Sequence, residues 1–152
     1  MMQTWHDDLK VGIPEIDADH RRICDALDGL YKLIIGVINS AEILVHLQEL
    51  ADLFAAHFSR EEQMMDDIKY GNAEHHLKNH FEALRILSII VFNCEKNNQH
   101  ITDETLLLIN VWINEHIMTY DQPFANAFIL ASINHVVGAT DDCVKPAREY
   151  YK

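Results

Sequence analysis

The chain is poor in residues that break helices, with five Gly and three Pro among 152 residues. So few turns leave long elements, and long elements without strand alternation mean helices. Cysteine is scarce too. Cys24, Cys94 and Cys143 are odd in number, far apart and free of any CxxC pair, which argues against a disulfide framework and for a reducing, cytoplasmic setting. Basic residues are outnumbered, 12 Lys and Arg against 24 Asp and Glu, for a net charge of -12. Nucleic acid is therefore not an expected partner, since phosphate binding needs a surplus of cations. The same charge argues against an anionic membrane surface. The longest apolar run, residues 86–92, is broken by Ser88 and falls far short of a bilayer span. Residues 1–8 have neither a basic nor an apolar stretch, so no signal peptide is expected.

What is present is apolar residue in quantity, 49% of the chain. That is enough for one domain over residues 1–152 with a core of its own, centred on residues 4–130. Residues 1–16 read as an irregular arm anchored by Trp5, Val11, Ile13 and Ile16, with Gly12 and Pro14 opposing helix. A first helix is predicted from Asp17, taken as its N-cap, with His20, Ile23, Leu27, Leu30 and Ile34 on one face. Ser40 is placed to cap a second helix that carries Leu47, Leu50, Phe54, His57 and Glu61 on one stripe and ends near Gly71 as C-cap. Asn72 is expected to cap a third helix with His76, His80, Ala83 and Leu87 inward. Thr102 or Asp103 starts a fourth, bearing Leu106, Ile109, Trp112, Ile113 and His116. Pro123 interrupts its hydrogen bonding. A short amphipathic segment, residues 124–137, precedes a polar tail over 138–152. The fold class is all-α, an up-down-up-down four-helix bundle with an N-terminal arm and a short C-terminal helix.

Ten histidines stand out in this composition. His57 and Glu61 are four residues apart, and so are His76 and His80, so each pair projects from one helix face. His116 is followed five residues later by Asp121, a poor same-face spacing for an ideal helix that becomes workable where the helix unwinds before Pro123. His20 adds an imidazole from the first helix. All but Asp121 lie in register with apolar stripes, which turns five imidazoles and two carboxylates into a dry core. Unpartnered, such groups cost several kcal/mol each by order of magnitude. A metal cluster satisfies them together. The donor set suits iron, zinc, copper or nickel, and seven ligands are too many for one ion. The site is read as dinuclear, bridged by the two carboxylates.

The residues Trp5, Asp8-Leu9, Val11-Gly12-Ile13, Ile16-Asp17 and His20 open a longer pattern. His57-Phe58, Glu61-Glu62, Met65, His76, His80, Trp112, His116-Ile117, Asp121 and Phe124 complete it. In this text the chain resembles bacterial hemerythrins across about residues 4–130. The resemblance implies two irons cycling between Fe2+ and Fe3+, with an oxo or hydroxo bridge. His76, His80 and His116 would hold one iron and His20 and His57 the other, with Glu61 and Asp121 bridging. It implies dioxygen as the partner, bound reversibly at a position left open on one iron, and no catalytic residues. A His-rich, largely neutral shell fits that expectation, because it stabilises high-valent iron less than a carboxylate-rich one. Ile113, Ile117, Trp112 and Phe58 are expected to line an apolar oxygen pocket, with Ile113 standing where relatives commonly carry leucine.

Three rival readings stay open: an oxygen or redox sensor acting through a separate signalling partner, a di-iron enzyme handling peroxide or nitric oxide, and a structural zinc or metal-storage bundle. Tyr70-Gly71-Asn72 replaces the Tyr-Pro of relatives and predicts only a local loop difference. His6, His46, His75, His100 and His135 read as surface residues, Glu62 as solvated or bonded to a ligand from outside, and Cys24 as a small buried hydrophobe.

Overall fold

The computed structural model describes residues 4–36, 40–97 and 100–141, the side chains of 136–141 excepted. Its helices are α1 (Pro14–Ile35), α2 (Ser40–Asp67), α3 (Ala73–Lys96), α4 (Asp103–His116) and α5 (Gln122–Asp141), preceded by a short turn of 3-10 helix at Asp7–Leu9. No strand occurs among the described residues. The chain is all-α, as predicted.

Helix α1 begins at Pro14, three residues before the predicted Asp17. Proline is well placed there, because the first N–H groups of a helix have no partner within it. Asp17 still caps, but from inside the helix and onto the arm: its carboxylate accepts the N–H of Val11 at 2.7 Å and of Gly12 at 3.2 Å. Gly12 takes φ +88° at this turn, a conformation a side chain would strain. Leu9, Val11, Ile13 and Ile16 are buried and lay the arm on the bundle.

The end of α2 also differs from the expectation. Lys69, not Gly71, occupies the left-handed region with φ 52°. The N–H of Tyr70 then reaches the carbonyl of Met65 at 2.9 Å, the six-to-one bond of a Schellman ending. Gly71 is left without a conformational role. At the start of α4, Thr102 Oγ1 accepts from the N–H of Thr105 as an N-cap should. Asn72 precedes α3 without a side-chain cap bond.

Helix α4 does not stop at Pro123. It passes through one π turn, Ile117–Asp121, closed by the N–H of Gln122 on the carbonyl of Ile117, and continues as α5. The segment expected over 124–137 is thus part of a longer helix, which takes in the first residues of the expected tail. Residues 142–152, with Cys143, lie outside the described residues.

Helix α1 packs against α2 and α4, and α2 against α3. With consecutive helices reversing direction, the start of α1, the end of α2, the start of α3 and the end of α4 share one end of the bundle. The opposite end holds Leu27, Leu30, Leu47, Leu50 and Leu106, all fully buried. Each contributes about 2 kcal/mol of burial, a dry base on which the polar end is held.

Candidate metal centre

All seven predicted residues meet at that polar end. His20 comes from α1, His57 and Glu61 from α2, His76 and His80 from α3, His116 from α4, and Asp121 from the π turn. None is more than 2% exposed. The π turn explains the awkward spacing of five: its wider turn closes i to i+5, so His116 and Asp121 face the same way. The chain does not unwind before Pro123; it widens.

The Nε2 atoms converge on the two carboxylates. Asp121 Oδ1 lies 2.9 Å from His116 Nε2 and 3.0 Å from His76 Nε2, and Asp121 Oδ2 lies 3.1 Å from His20 Nε2. Glu61 Oε2 stands 3.2 Å from His80 Nε2, 3.5 Å from His76 Nε2 and 3.6 Å from His57 Nε2. Two donor groups result, each with all its ligand atoms within 4.8 Å: Glu61, His76, His80, His116 and Asp121, and His20, His57, Glu61 and Asp121. The carboxylates belong to both.

Whether these groups suit a cation can be judged from their unmet bonding. Both nitrogens of His57, both oxygens of Glu61, His80 Nε2 and Asp121 Oδ1 make no hydrogen bond among the described residues. His80 Nε2 is 3.2 Å from Glu61 Oε2 and Asp121 Oδ1 is 2.9 Å from His116 Nε2, yet neither pair aligns as a hydrogen bond, as lone pairs aimed at a common third atom would not. Burial, with neighbouring imidazoles adding to it, lowers His57 far below the usual imidazole range and His80 to about 2. Burial also lowers His116, against the opposing pull of Asp121. Burial thus favours the neutral form of these three rings, the form in which an imidazole can ligate a metal. Burial raises Asp121, but His116, His20 and His76 around it outweigh that and hold it well below the carboxylate range. Burial and the adjacent Asp121 push Glu61 well upward, so an ionised Glu61 calls for a cation beside it. The donor set fits metal.

The outward nitrogens are held too. His116 Nδ1–H donates to Asn79 Oδ1 at 2.6 Å and His80 Nδ1–H to Glu62 Oε1 at 3.1 Å. Those acceptors fix the tautomers that leave Nε2 bare. Asp19 Oδ2 stands 3.9 Å from His57 Nδ1, and Arg60 (2.8 Å) and Arg22 (3.0 Å) anchor its two oxygens. Sequence reasoning missed Asp19 and Asn79. Their signal was present: each immediately precedes a predicted inward histidine, His20 or His80. Glu62 bonds His80 from outside the cluster, the second of the two roles anticipated for it. His6, His75, His100 and His135 are exposed and His46 half-buried, all outside the cluster. Cys24 is fully buried.

Aromatic rings flank the imidazoles. Phe58 stacks on His80 with centroids 3.9 Å apart, and Trp112 stacks on His116 at 4.8 Å. Ile113 and Ile117 are fully buried beside them in sequence.

Residues 11–127 match the family described as "Hemerythrin HHE cation binding domain". The chain belongs to the hemerythrin family. It is 31% identical over 124 residues to a bacteriohemerythrin of Pseudomonas aeruginosa, covering 82% of this chain and 80% of the relative. A bacteriohemerythrin of Clostridium acetobutylicum is 26% identical over 130 residues, covering 81% of this chain and 98% of its own. A solved structure of wild-type hemerythrin superposes with TM-score 0.79 at 20% identity, covering 84% of this chain and 98% of that one. That likeness shows the shared four-helix bundle. Hemerythrin-family proteins bind non-haem iron and are typically oxygen carriers, and this hemerythrin has a cluster able to hold metal.

Proposed function

We propose that this hemerythrin holds two irons and binds dioxygen reversibly, as a store, carrier or scavenger and not as an enzyme. The observation that carries the reading is the pair of overlapping donor groups sharing Glu61 and Asp121. Sharing supports these roles: His76, His80 and His116 would hold one iron, His20 and His57 the other, and the two carboxylates would serve both. With three imidazoles in one donor group and two in the other, the poorer group would leave its iron able to take a further ligand. Bound iron would supply the electrons and the open position that dioxygen needs.

The chain's own residues supply the rest. Asn79 and Glu62 orient His116 and His80, and the Asp19 carboxylate stands 3.9 Å behind His57. Phe58, Trp112, Ile113 and Ile117 present carbon to the site and keep water, and with it protons, away from whatever binds there. Free Cys24 and Cys94 fit a reducing compartment, and the cytoplasm is where we place the protein. No helix among the described residues is long and apolar enough to cross a membrane. The acidic surface leaves nucleic acid out of the reading, and the whole chain is taken as one domain.

Visible spectroscopy tests it. The reduced, iron-loaded protein should gain a charge-transfer band in air and lose it under argon over repeated cycles. A protein that stays colourless, or that consumes dioxygen continuously with an electron donor, would overturn the reading.

A further inference from the structure

Helices α3 and α4 stand further apart than the other neighbouring pairs. The gap is a groove of about 240 Å³. Its rim carries Ile86 and Leu108, both exposed, and its floor is Phe54, Ala83, Leu87 and Trp112. Among the described residues lining it, polar groups are confined to the Thr105 hydroxyl, 3.2 Å from that of Thr102, and the indole N–H of Trp112. A charged or polar ligand would lose its water here and regain almost no hydrogen bond. Enclosed apolar cavities take up small apolar guests, and this half-open groove presents the same lining.

The floor of this groove is also the wall of the metal cluster. Trp112 lines the groove and stacks on His116 at 4.8 Å. Phe54 lines it too, and its ring lies 5.6 Å from that of Phe58, which stacks on His80 at 3.9 Å. One layer of aromatic side chains separates the groove from His80 and His116, and Phe58 in that layer also lies 5.4 Å from His57 of the poorer donor group. Phe54 and Trp112 are themselves 5.9 Å apart, centroid to centroid.

We propose that this groove is a docking site and access route for a small apolar gas, dioxygen, with Phe54 and Trp112 as its inner gate. The proposal rests on the oxygen-binding reading above. It assigns a specific selectivity: a neutral diatomic molecule enters between α3 and α4, whereas a small anion reaches the irons elsewhere. Because the groove lies on the path and not at its end, narrowing it raises the barrier to entering and to leaving alike. Rates change and affinity does not.

The test uses the full, iron-loaded chain. Xenon under pressure should occupy the groove beside Phe54 and Trp112 in crystals. Leu108→Trp fills the rim from an exposed position and is therefore safe for folding; Ala83→Phe fills the floor. Either should expel xenon and slow dioxygen association and dissociation by about tenfold each, with affinity kept within about twofold. Azide binding to the ferric protein should keep its rate. Ser132→Phe, on a separate surface groove lined by Gly12, Pro14 and Phe128, should change none of these. An empty groove under xenon, or unchanged gas kinetics in both filled variants, would overturn the proposal. So would a bound peptide or second copy of the chain occluding the groove in solution without loss of gas rate. If xenon binds and nitric oxide association slows in the filled variants while dioxygen is never released, the groove stands and the oxygen-carrier reading falls.

Discussion

His116 and Asp121 are five residues apart, yet His116 Nε2 lies 2.9 Å from Asp121 Oδ1, because Ile117–Asp121 forms a single π turn between two stretches of α-helix. A π turn accommodates one extra residue while the helix on either side keeps its register. Deleting the exposed Met118 should therefore collapse the turn to ordinary helix, leave the two side chains four apart on one face, and keep the metal complement. Inserting an alanine after Met118 should rotate Asp121 by about 100° out of the centre and cost the chain iron. Elemental analysis of the two variants decides it; equal iron content in both would show that Asp121 is dispensable.

The residues behind the imidazoles should matter nearly as much as the imidazoles. Asn79→Ala removes the acceptor that fixes the His116 tautomer, and Asp19→Ala removes the carboxylate beside His57. Each variant should bind iron about 10–100-fold more weakly, read by competition with a chelator. In the Asp19 variant, Arg22 and Arg60 also lose their common partner, so part of any loss in thermal stability belongs to them and not to the metal. Affinity, not melting temperature, is the diagnostic.

Ile113 is fully buried beside His116, one turn earlier on α4. Ile113→Ala should cost about 2–5 kcal/mol in denaturant unfolding, through lost burial and the space left behind. The same space admits water, so the air-exposed protein should lose its oxygen-dependent band faster. A normal autoxidation rate alongside the expected destabilisation would reduce Ile113 to plain core packing.

Cys24 gives a pH signature away from the metal. Burial, above all, pushes its thiol from 9.0 up to about 11, with Thr4 opposing and Asp28 and Asp25 assisting. The native state holds its proton more tightly than the unfolded chain does. The stability this brings is full below pH 9 and is lost as pH rises through about 11, on the order of 2 kcal/mol at most. Cys24→Ala should show a correspondingly shallower alkaline decline in unfolding free energy, and native Cys24 should resist alkylation at pH 8 while the half-buried Cys94 reacts.

Helical periodicity made the bundle readable, because apolar residues at three- and four-residue steps mark which face turns inward, and polar ligands riding on that face are carried in with it. His57 with Glu61 and His76 with His80 were legible for this reason. Asp121 breaks the rule, since its spacing of five from His116 suggests a local opening of the helix before Pro123, and nothing in the residues 117–120 announces the π turn that carries it. The start of α1 was misjudged because Pro14 signals a helix break in mid-helix but a helix start at the first position, and only the long-range fit of Leu9, Val11 and Ile13 on the core chooses between them. Lys69 was missed as the left-handed residue because Gly71, two positions on, is the commoner choice. Asp19 and Asn79 were invisible to periodicity, which tells where a side chain points and not which imidazole it meets.

Anomalous diffraction at the iron edge, on crystals of the iron-loaded protein, tests the central assignment most directly. Two peaks are predicted, one in bonding reach of His76, His80 and His116 and one of His20 and His57, each touching both Glu61 and Asp121. A single peak, or a pair that leaves either carboxylate on one metal alone, would contradict the shared-bridge centre.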